Sequence, residues 1–374
     1  MKIIKVDLKK RSYIIAVGYG IINSIGKFIT KLNIGQDAYV ITNPAIKNRY
    51  GELLKKSLRQ ANLNVKFKNI PDTEKSKSIK TLSSVMNDIA KFDKRKRIFI
   101  IAFGGGVIGD LSGFIASVYK RGIPYIQIPT TLLAQVDSSI GGKTGIDLPE
   151  GKNLVGVIYQ PRLVLSDVKL LNTLDQRQIR AGLAEVIKYA VIKDRMLFNY
   201  LDKNYKNILN LKPRVLEYIV NCCSNIKAGI VEQDEREEKG IRTILNFGHT
   251  VGHAIEAAAN YKSYNHGEAI GLGMLVAADI SSSLNLIGHS TVKRIEGLIK
   301  SVNLPTHIRG VTLQKIINAH YHDKKFIGAK NRFVLIKGIG ETKIVENIPI
   351  KIIKQAIKKR LSWPGKLDSS SGGI

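Results

Sequence analysis

The run RIFIIAF (97–103), followed at once by GGGVIGD (104–110), limits the fold more than any other stretch of this chain. An unbroken apolar segment of that length, bounded by glycines, suits a strand buried on both faces. LSGFIASVYKRG then reads as a helix, which completes a strand–turn–helix unit. The neighbouring segments keep the same rhythm. DAYVITN (37–43) reads as a strand ended by Pro44, IKTLSSVMNDIAKF (79–92) as an amphipathic helix, and YIQIP (125–129) and LVLSD (163–167) as further strands. That alternation predicts an α/β domain over residues 1–168, with a mainly parallel, doubly wound, Rossmann-like sheet.

Beyond residue 170 the period changes. QIRAGLAEVIKYAVI (178–192), RVLEYIVNCCSNIKAGIV (214–231), FGHTVGHAIEAAA (247–259) and GEAIGLGMLVAADISSSL (267–284) all read as helices. KRIEGLIK and IIKQAIKKRL read as two more, and FVLIKGIGETKIV as a possible hairpin. The expectation is an all-α domain over 169–362, a disordered small and polar tail over 363–374, and a ligand in the cleft between domains.

Charge and cysteine usage narrow the function classes. The formal net charge is +29, from 59 Lys and Arg against 30 Asp and Glu. The lysines are scattered, with short clusters at 94–97 and 358–360, and no aromatic residues interleave with them as a base-stacking surface needs. This reads as solvated surface rather than a nucleic-acid site, and leaves open attraction of an anionic small substrate. No apolar run is long enough to cross a membrane, and the N-terminus lacks the apolar core of a signal peptide. Cys222 and Cys223 are adjacent and give no disulfide framework, so a cytoplasmic location is expected.

Four stretches carry candidate chemistry. Gly104, Gly106 and Gly109 form G-x-G-x-x-G between a strand and a helix, where backbone N–H groups can face an anion. The loop does not follow the first strand, however, and Pro129-Thr130-Thr131 ends the next strand without an acidic residue for ribose. Dinucleotide binding and plain tight packing both stay open. In NFGHTVGHAIEA, His249 and His253 lie four apart and Glu256 follows, while His266 opens the next helix. Three histidines of seven within 18 residues predict a metal site, with His249, His253 and His266 as ligands from spacing alone. QVDSSIGGKTGIDLPEGKNLVG (135–156) places Asp137, Lys143, Lys152 and Asn153 among glycines, which suits phosphate contact or an ordinary surface loop. Glu185 and Lys188 sit at i, i+3 in an otherwise apolar helix, a spacing that a surface ion pair also shows. Arg242 would approach the histidines if their helix began early.

Taken together, FGGGVIGDLSGFIASVYKRG, IPTTLLAQVDSSIGGKTGID, GKNLVG, IRAGLAEVIKYA, DEREEKGIRTILNFGHTVGHAIEA, HGEAIGLGM and HDKK resemble the 3-dehydroquinate synthase family of sugar-phosphate cyclases. The resemblance implies an α/β domain followed by a helical one, NAD and one divalent metal (Zn or Co) as cofactors, and a homodimer with no nucleic-acid or membrane partner. It implies a lyase that turns 3-deoxy-D-arabino-heptulosonate 7-phosphate into 3-dehydroquinate and phosphate, in the shikimate pathway to chorismate and the aromatic amino acids. The implied course is transient oxidation by NAD, β-elimination of phosphate, re-reduction, ring opening and intramolecular aldol closure.

Residue by residue, the resemblance implies Glu185, His249 and His266 as metal ligands, with Glu185 in place of His253. NAD contacts would be Asp72, Thr73, Glu74, Lys75, Ser76 and Lys77; Gly105, Gly106, Val107, Ile108, Gly109 and Asp110; Thr130 and Thr131; Lys143 and Lys152; and Leu170, Leu171, Asn172 and Thr173. Catalytic and substrate contacts would be Arg121, Asp137, Lys143, Asn153, Lys188, Lys227, Arg242, Asn246, His253 and Lys324, with Arg121 serving a neighbouring subunit. Asn43 departs from the acidic residue often found at its position, and DEREEKG carries one residue more than usual. The deoxy-inosose and valiolone synthases share cofactors and fold, but Arg242, Asn246 and Lys324 favour the carboxylated substrate. Iron-type alcohol and glycerol dehydrogenases share the architecture without needing so cationic a pocket.

Overall fold

A computed structural model describes residues 1–94, 97–322 and 331–362. The tail from 363 and Lys324 lie outside the described residues. Two compact units divide the chain, one of residues 1–182 with 207–241, the other of 183–206 with 242 onward. Compactness therefore does not follow a single cut at 168–169.

The first unit carries β1 (Lys2–Val6), β2 (Tyr13–Gly18), α1 (Ile25–Leu32), β3 (Asp37–Thr42), α2 (Pro44–Gln60), β4 (Asn64–Asn69), α3 (Ile79–Phe92), β5 (Ile98–Gly104), α4 (Gly106–Val118), β6 (Tyr125–Pro129), β7 (Lys143–Leu148), β8 (Gly151–Ile158) and β9 (Leu163–Asp167). Seven strands form one sheet in the order β1-β2-β9-β6-β5-β3-β4. β1 pairs antiparallel with β2, and every other pair in that sheet is parallel. All seven residues of β5 are buried, because alternate side chains serve opposite faces. Phe99, Ile101 and Phe103 pack with Leu54 and Leu58 of α2, while Ile100 and Ala102 pack with Val85 of α3 and Leu111 of α4. Each such large side chain contributes about 1.5–3 kcal/mol relative to exposure.

β7 and β8 form a separate antiparallel hairpin, so the 135–156 stretch is ordered rather than a plain surface loop. A π-helical turn at Ala134–Ser138 precedes it. α5 (Gln176–Lys193) starts in the first unit and ends in the second, α6 (Arg195–Leu209) returns to the first, and α7 (Pro213–Gln233) lies wholly within it.

The second unit adds α8 (His249–Ala258), α9 (His266–Ser283), α10 (His289–Ser301), α11 (Leu313–His322), β10 (Arg332–Gly338), β11 (Glu341–Glu346) and α12 (Ile350–Arg360). α9 is its axis, buried without interruption from Ala269 to Ser281. A polar residue inside such a helix needs a partner. Asp279 has two, accepting from Arg360 Nε at 2.5 Å and Lys359 Nζ at 2.6 Å on α12. The β10–β11 hairpin makes this unit helical rather than all-α, at the segment whose pattern suggests a hairpin. Among the described residues, no helix is long and apolar enough to cross a membrane.

Candidate active site

Within the second unit, three separate segments converge. Glu185 comes from α5 and is fully buried; His249 and His266 are the first residues of α8 and α9. Local chemistry fixes each start. Gly248 takes a left-handed φ of 79°, which ends the preceding 3-10 turn and starts α8 two residues later than its pattern suggests. Asn265 caps α9: its Oδ1 accepts from Glu268 N at 2.9 Å, and Glu268 Oε2 accepts from Asn265 N at 2.9 Å. The two helices touch through glycines. A Cβ on Gly273 would overlap the Gly248 carbonyl oxygen, and one on Gly248 would lie 2.6 Å from Met274 Cγ.

Glu185 Oε1 lies 3.4 Å from His249 Nε2 and 3.6 Å from His266 Nε2, so one carboxylate and two imidazoles face a common point. Their ligand atoms fall within 4.8 Å of one another. This donor set fits a divalent metal of the kind held by two His and a carboxylate, with room for a further ligand. His249 Nδ1 is 3.2 Å from the Phe247 carbonyl oxygen, which favours the tautomer that leaves Nε2 free to ligate. The trio His249, His253 and His266, read from spacing alone, has its rings 5.3–6.0 Å apart, but the ligand atoms that gather with those of His249 and His266 are those of Glu185. His253 instead groups with Glu256 and His266.

Charge in this cluster is strongly perturbed. Burial holds His249 well below the ordinary imidazole range, outweighing Glu185, and the nearby Lys188 pushes the same way. Burial also opposes a charge on His266, but Glu185 and Glu256 overcome it and push it up to about 10. The carboxylates that hold a proton there would equally favour a cation. Lys188, 2% exposed, pairs with Glu185 and lies 4.8 Å from the centre of the Tyr189 ring. Arg242 is buried on the 3-10 turn Ile241–Asn246, which also carries Asn246; α8 does not begin early enough to include either.

The first unit holds the glycine loop. Gly105 is the N-cap of α4, whose first N–H groups stand at the C-terminal end of β5. The two readings of the loop divide between its glycines. A Cβ on Gly104 would meet Ile108 at 2.7 Å and one on Gly109 would meet Gln127 Oε1 at 2.8 Å, so these two serve packing. Gly105 and Gly106 instead face Thr131 and the Ser138 hydroxyl. Ile108 is buried, Val107 half-buried, and Thr130 donates its N–H to the Gly104 carbonyl at 3.0 Å.

Beside this loop, the buried Lys77 ammonium donates to Asp110 Oδ2 at 2.9 Å and to Asn153 Oδ1, with Glu74 at 3.7 Å and Asp147 at 3.9 Å. Burial works against its charge, yet Asp110 first and then Glu74 and Asp147 hold it above the ordinary lysine value; burial first, and Glu74 with it, raises Asp110 against the opposing pull of Lys77. Asp147 Oδ1 accepts from Asn153 N at 2.8 Å and holds that residue in its left-handed conformation, φ 55°. Lys152 lies 3.9 Å from Glu74. Ser76 Oγ donates to the Pro71 carbonyl, while Thr73 and Lys75 are exposed. Asn43 caps α2 and donates its amide to Asp72 Oδ2 at 2.9 Å, so an acidic group stands beside Asn43 after all.

Elsewhere in this unit Lys227 Nζ donates to both Asp137 O and Oδ1 at 2.7 Å, and Lys143 pairs with Glu237 at 2.5 Å. Arg121 is exposed with φ 63°. Leu170 and Leu171 are core residues whose side chains are unavailable to a ligand; Asn172 is exposed, and Thr173 Oγ1 is 2.9 Å from Tyr50 Oη. Asp147 beside Lys77 and Glu237 beside Lys143 are partners that spacing gives no hint of, because each of these two pairings spans distant segments.

Comparison with known proteins divides the chain once, near residue 181, although residues 207–241 pack with the first unit. Residues 67–181 match the family profile described as 3-dehydroquinate synthase N-terminal, and 182–326 the one described as 3-dehydroquinate synthase C-terminal. The chain is 44% identical to the 3-dehydroquinate synthase of Desulforamulus reducens, over 93% of this chain and 97% of that one. Among solved structures it is similar to 2-deoxy-scyllo-inosose synthase complexed with carbaglucose-6-phosphate, NAD+ and Co2+, at 26% identity and a TM-score of 0.88, covering 96% and 100% of the two chains. It is also similar to 2-epi-5-epi-valiolone synthase from Streptomyces hygroscopicus with NAD+ and Zn2+ bound, at 26% identity and a TM-score of 0.85, covering 94% and 98%.

Proposed function

Because this chain belongs to the 3-dehydroquinate synthase family, we propose that it converts 3-deoxy-D-arabino-heptulosonate 7-phosphate to 3-dehydroquinate and phosphate. The observation that carries the reading is the convergence of Glu185, His249 and His266 beside the buried Lys188 ammonium. A metal-ligand set next to a desolvated cation suits a substrate that is both a polyol and an anion. The 44% identity to a 3-dehydroquinate synthase, against 26% to the two other cyclases, supports this substrate over theirs.

Glu185, His249 and His266 would hold a Zn2+ or Co2+ ion. The 72–77 turn with Lys77, the Gly105–Gly106 amides, Asp110, Thr130 and Thr131 would hold NAD. When bound, the nicotinamide supplies a hydride acceptor that later gives the hydride back, and the metal supplies a Lewis acid for a substrate hydroxyl. Lys188, Arg242, Asn246, His253, Asp137, Lys143, Asn153 and Lys227 would contact the substrate. Their ammonium, guanidinium and amide donors match a phosphate and a carboxylate. Asp137 keeps the Lys227 ammonium aimed, and Asp147 keeps Asn153 aimed, so both donors are oriented before substrate arrives. The substrate phosphate then leaves by β-elimination, and ring opening and aldol closure follow. This makes the protein a cytoplasmic phosphorus–oxygen lyase of the shikimate pathway, acting as a homodimer in which Arg121 serves the neighbouring subunit.

The test is phosphate release from the heptulosonate phosphate with sub-stoichiometric NAD. Release should stop on chelation and return on adding Zn2+ or Co2+. Steady accumulation of NADH would instead indicate a dehydrogenase and end this reading.

A further inference from the structure

Glu256 is neither one of the three metal ligands nor one of the substrate contacts, yet it is a carboxylate buried to 8% exposure beside a metal-ligand histidine. It sits on α8, seven residues after His249, and its Oε1 lies 3.6 Å from Nδ1 of His266. The opposite ring nitrogen, Nε2, faces Glu185 at 3.6 Å. His266 therefore stands between two carboxylates, one on each side of its ring. His253, Glu256 and His266 also bring ligand atoms within 4.8 Å of one another, so this corner can be read either as a second metal position or as support for the first.

Imidazole chemistry decides between them. A neutral imidazole has one N–H and one lone pair; if Nε2 ligates a cation, Nδ1 carries the proton and cannot ligate another. Occupying both positions would require His266 as an imidazolate, which its two carboxylate neighbours oppose. The geometry points to Glu256 as a positioning residue. We propose that it accepts the Nδ1–H of His266, fixes the tautomer and ring plane, and raises the basicity of Nε2 toward a divalent cation. His249 has a matching arrangement, its Nδ1 facing the Phe247 carbonyl oxygen at 3.2 Å. One ligand is thus backed by a neutral carbonyl and the other by a charged carboxylate. This rests on the assignment of Glu185, His249 and His266 as the metal ligands.

The experiment measures metal binding directly. Apo-protein is titrated with Co2+ against a chromophoric chelator, and the visible Co2+ spectrum is recorded for wild type, Glu256→Gln and Glu256→Asp. Glu256→Gln is isosteric but loses the charge, and should weaken Co2+ binding by about 10–100-fold with shifted absorption bands. Glu256→Asp keeps the charge but retracts it, and should fall between Gln and wild type. Wild-type affinity and spectrum in both variants would overturn the proposal. So would two Co2+ ions per chain in the wild type, since His266 Nδ1 would then be a ligand. Glu185→Gln, measured alongside, reports on the ligand assignment separately: if it keeps full affinity, the ligand set fails rather than the role of Glu256.

Discussion

Glu185 shows how much one buried side chain can settle. Its carboxylate faces two imidazoles and pairs with Lys188, in a pocket where neither acid nor amine meets water. Glu185→Gln keeps the shape and removes the charge. It should abolish stoichiometric metal binding, read as zinc or cobalt content by elemental analysis, and lower phosphate release at least 100-fold. Retained metal would contradict the ligand assignment. The apo-protein should also unfold more easily, by about 1–3 kcal/mol, because the buried Lys188 ammonium loses its charged acceptor. The sequence reveals the two histidines through their density, but Glu185 is hidden by distance along the chain. Its place with Lys188 in an otherwise apolar helix marks it as unusual, but only the resemblance to known family motifs ties it to the histidines. Likewise His253 has the right helical spacing from His249, yet the carboxylate that faces both His249 and His266 comes from another helix. Periodicity reports neighbours on one helix and is silent on which helix comes alongside.

At the element scale the α8–α9 contact is what brings His249 and His266 together. Gly273→Ala would drive a methyl into the Gly248 carbonyl, which cannot rotate away, so the helices must separate. Overpacking of this kind costs about 1–3 kcal/mol, and the ligand pair should part with it. Urea denaturation should show the loss, and chelator competition should show weaker metal binding. Gly271→Ala on the same helix is the control. Its nearest neighbour would be Leu304 at 3.8 Å, so it should be neutral or stabilising by up to about 1 kcal/mol. A second element-scale expectation concerns the β1–β2 turn, where Arg11 makes a two-pronged contact with Glu235, 3.0 Å from Nε and 2.6 Å from Nη2. Arg11 holds the Glu235 carboxyl below its usual range, so the pair stabilises above the ordinary carboxylate pKa and is lost as pH falls through the depressed one. Arg11→Ala should therefore cost under about 1 kcal/mol at pH 7, Arg11 being largely exposed, and less at pH 4. An equal cost at both pH values would show that packing rather than charge is lost. Elements with clean periods, such as α3 and β6, are readable from sequence to the residue. β7 and β8 are not, because Gly145 and Gly156 interrupt the alternation that marks a strand.

For the whole molecule, the discontinuous units could not be read from composition, since α7 reads as one helix among several and joins the first unit only through packing. The charge of +29 poses the opposite problem, being plain in the sequence and unexplained by any single site. Individual lysines in the first unit are spent on named partners: Lys77 on Asp110, Lys227 on Asp137, Lys143 on Glu237. With nearly twice as many basic as acidic groups, most of the remainder cannot be paired in this way. An excess so widely spread creates a long-range positive field rather than a binding surface, and such a field acts on arrival, not on chemistry. Since salt screens exposed charges beyond about 10 Å at 0.1 M, raising ionic strength should weaken the field and leave short buried contacts intact. The expected signature is a several-fold fall in kcat/KM for the phosphorylated substrate between 20 and 300 mM salt, with kcat nearly constant. A parallel fall in kcat would mean that salt disturbs the site itself. A flat kcat/KM would mean that the surplus lysines contribute nothing to capture of the anion.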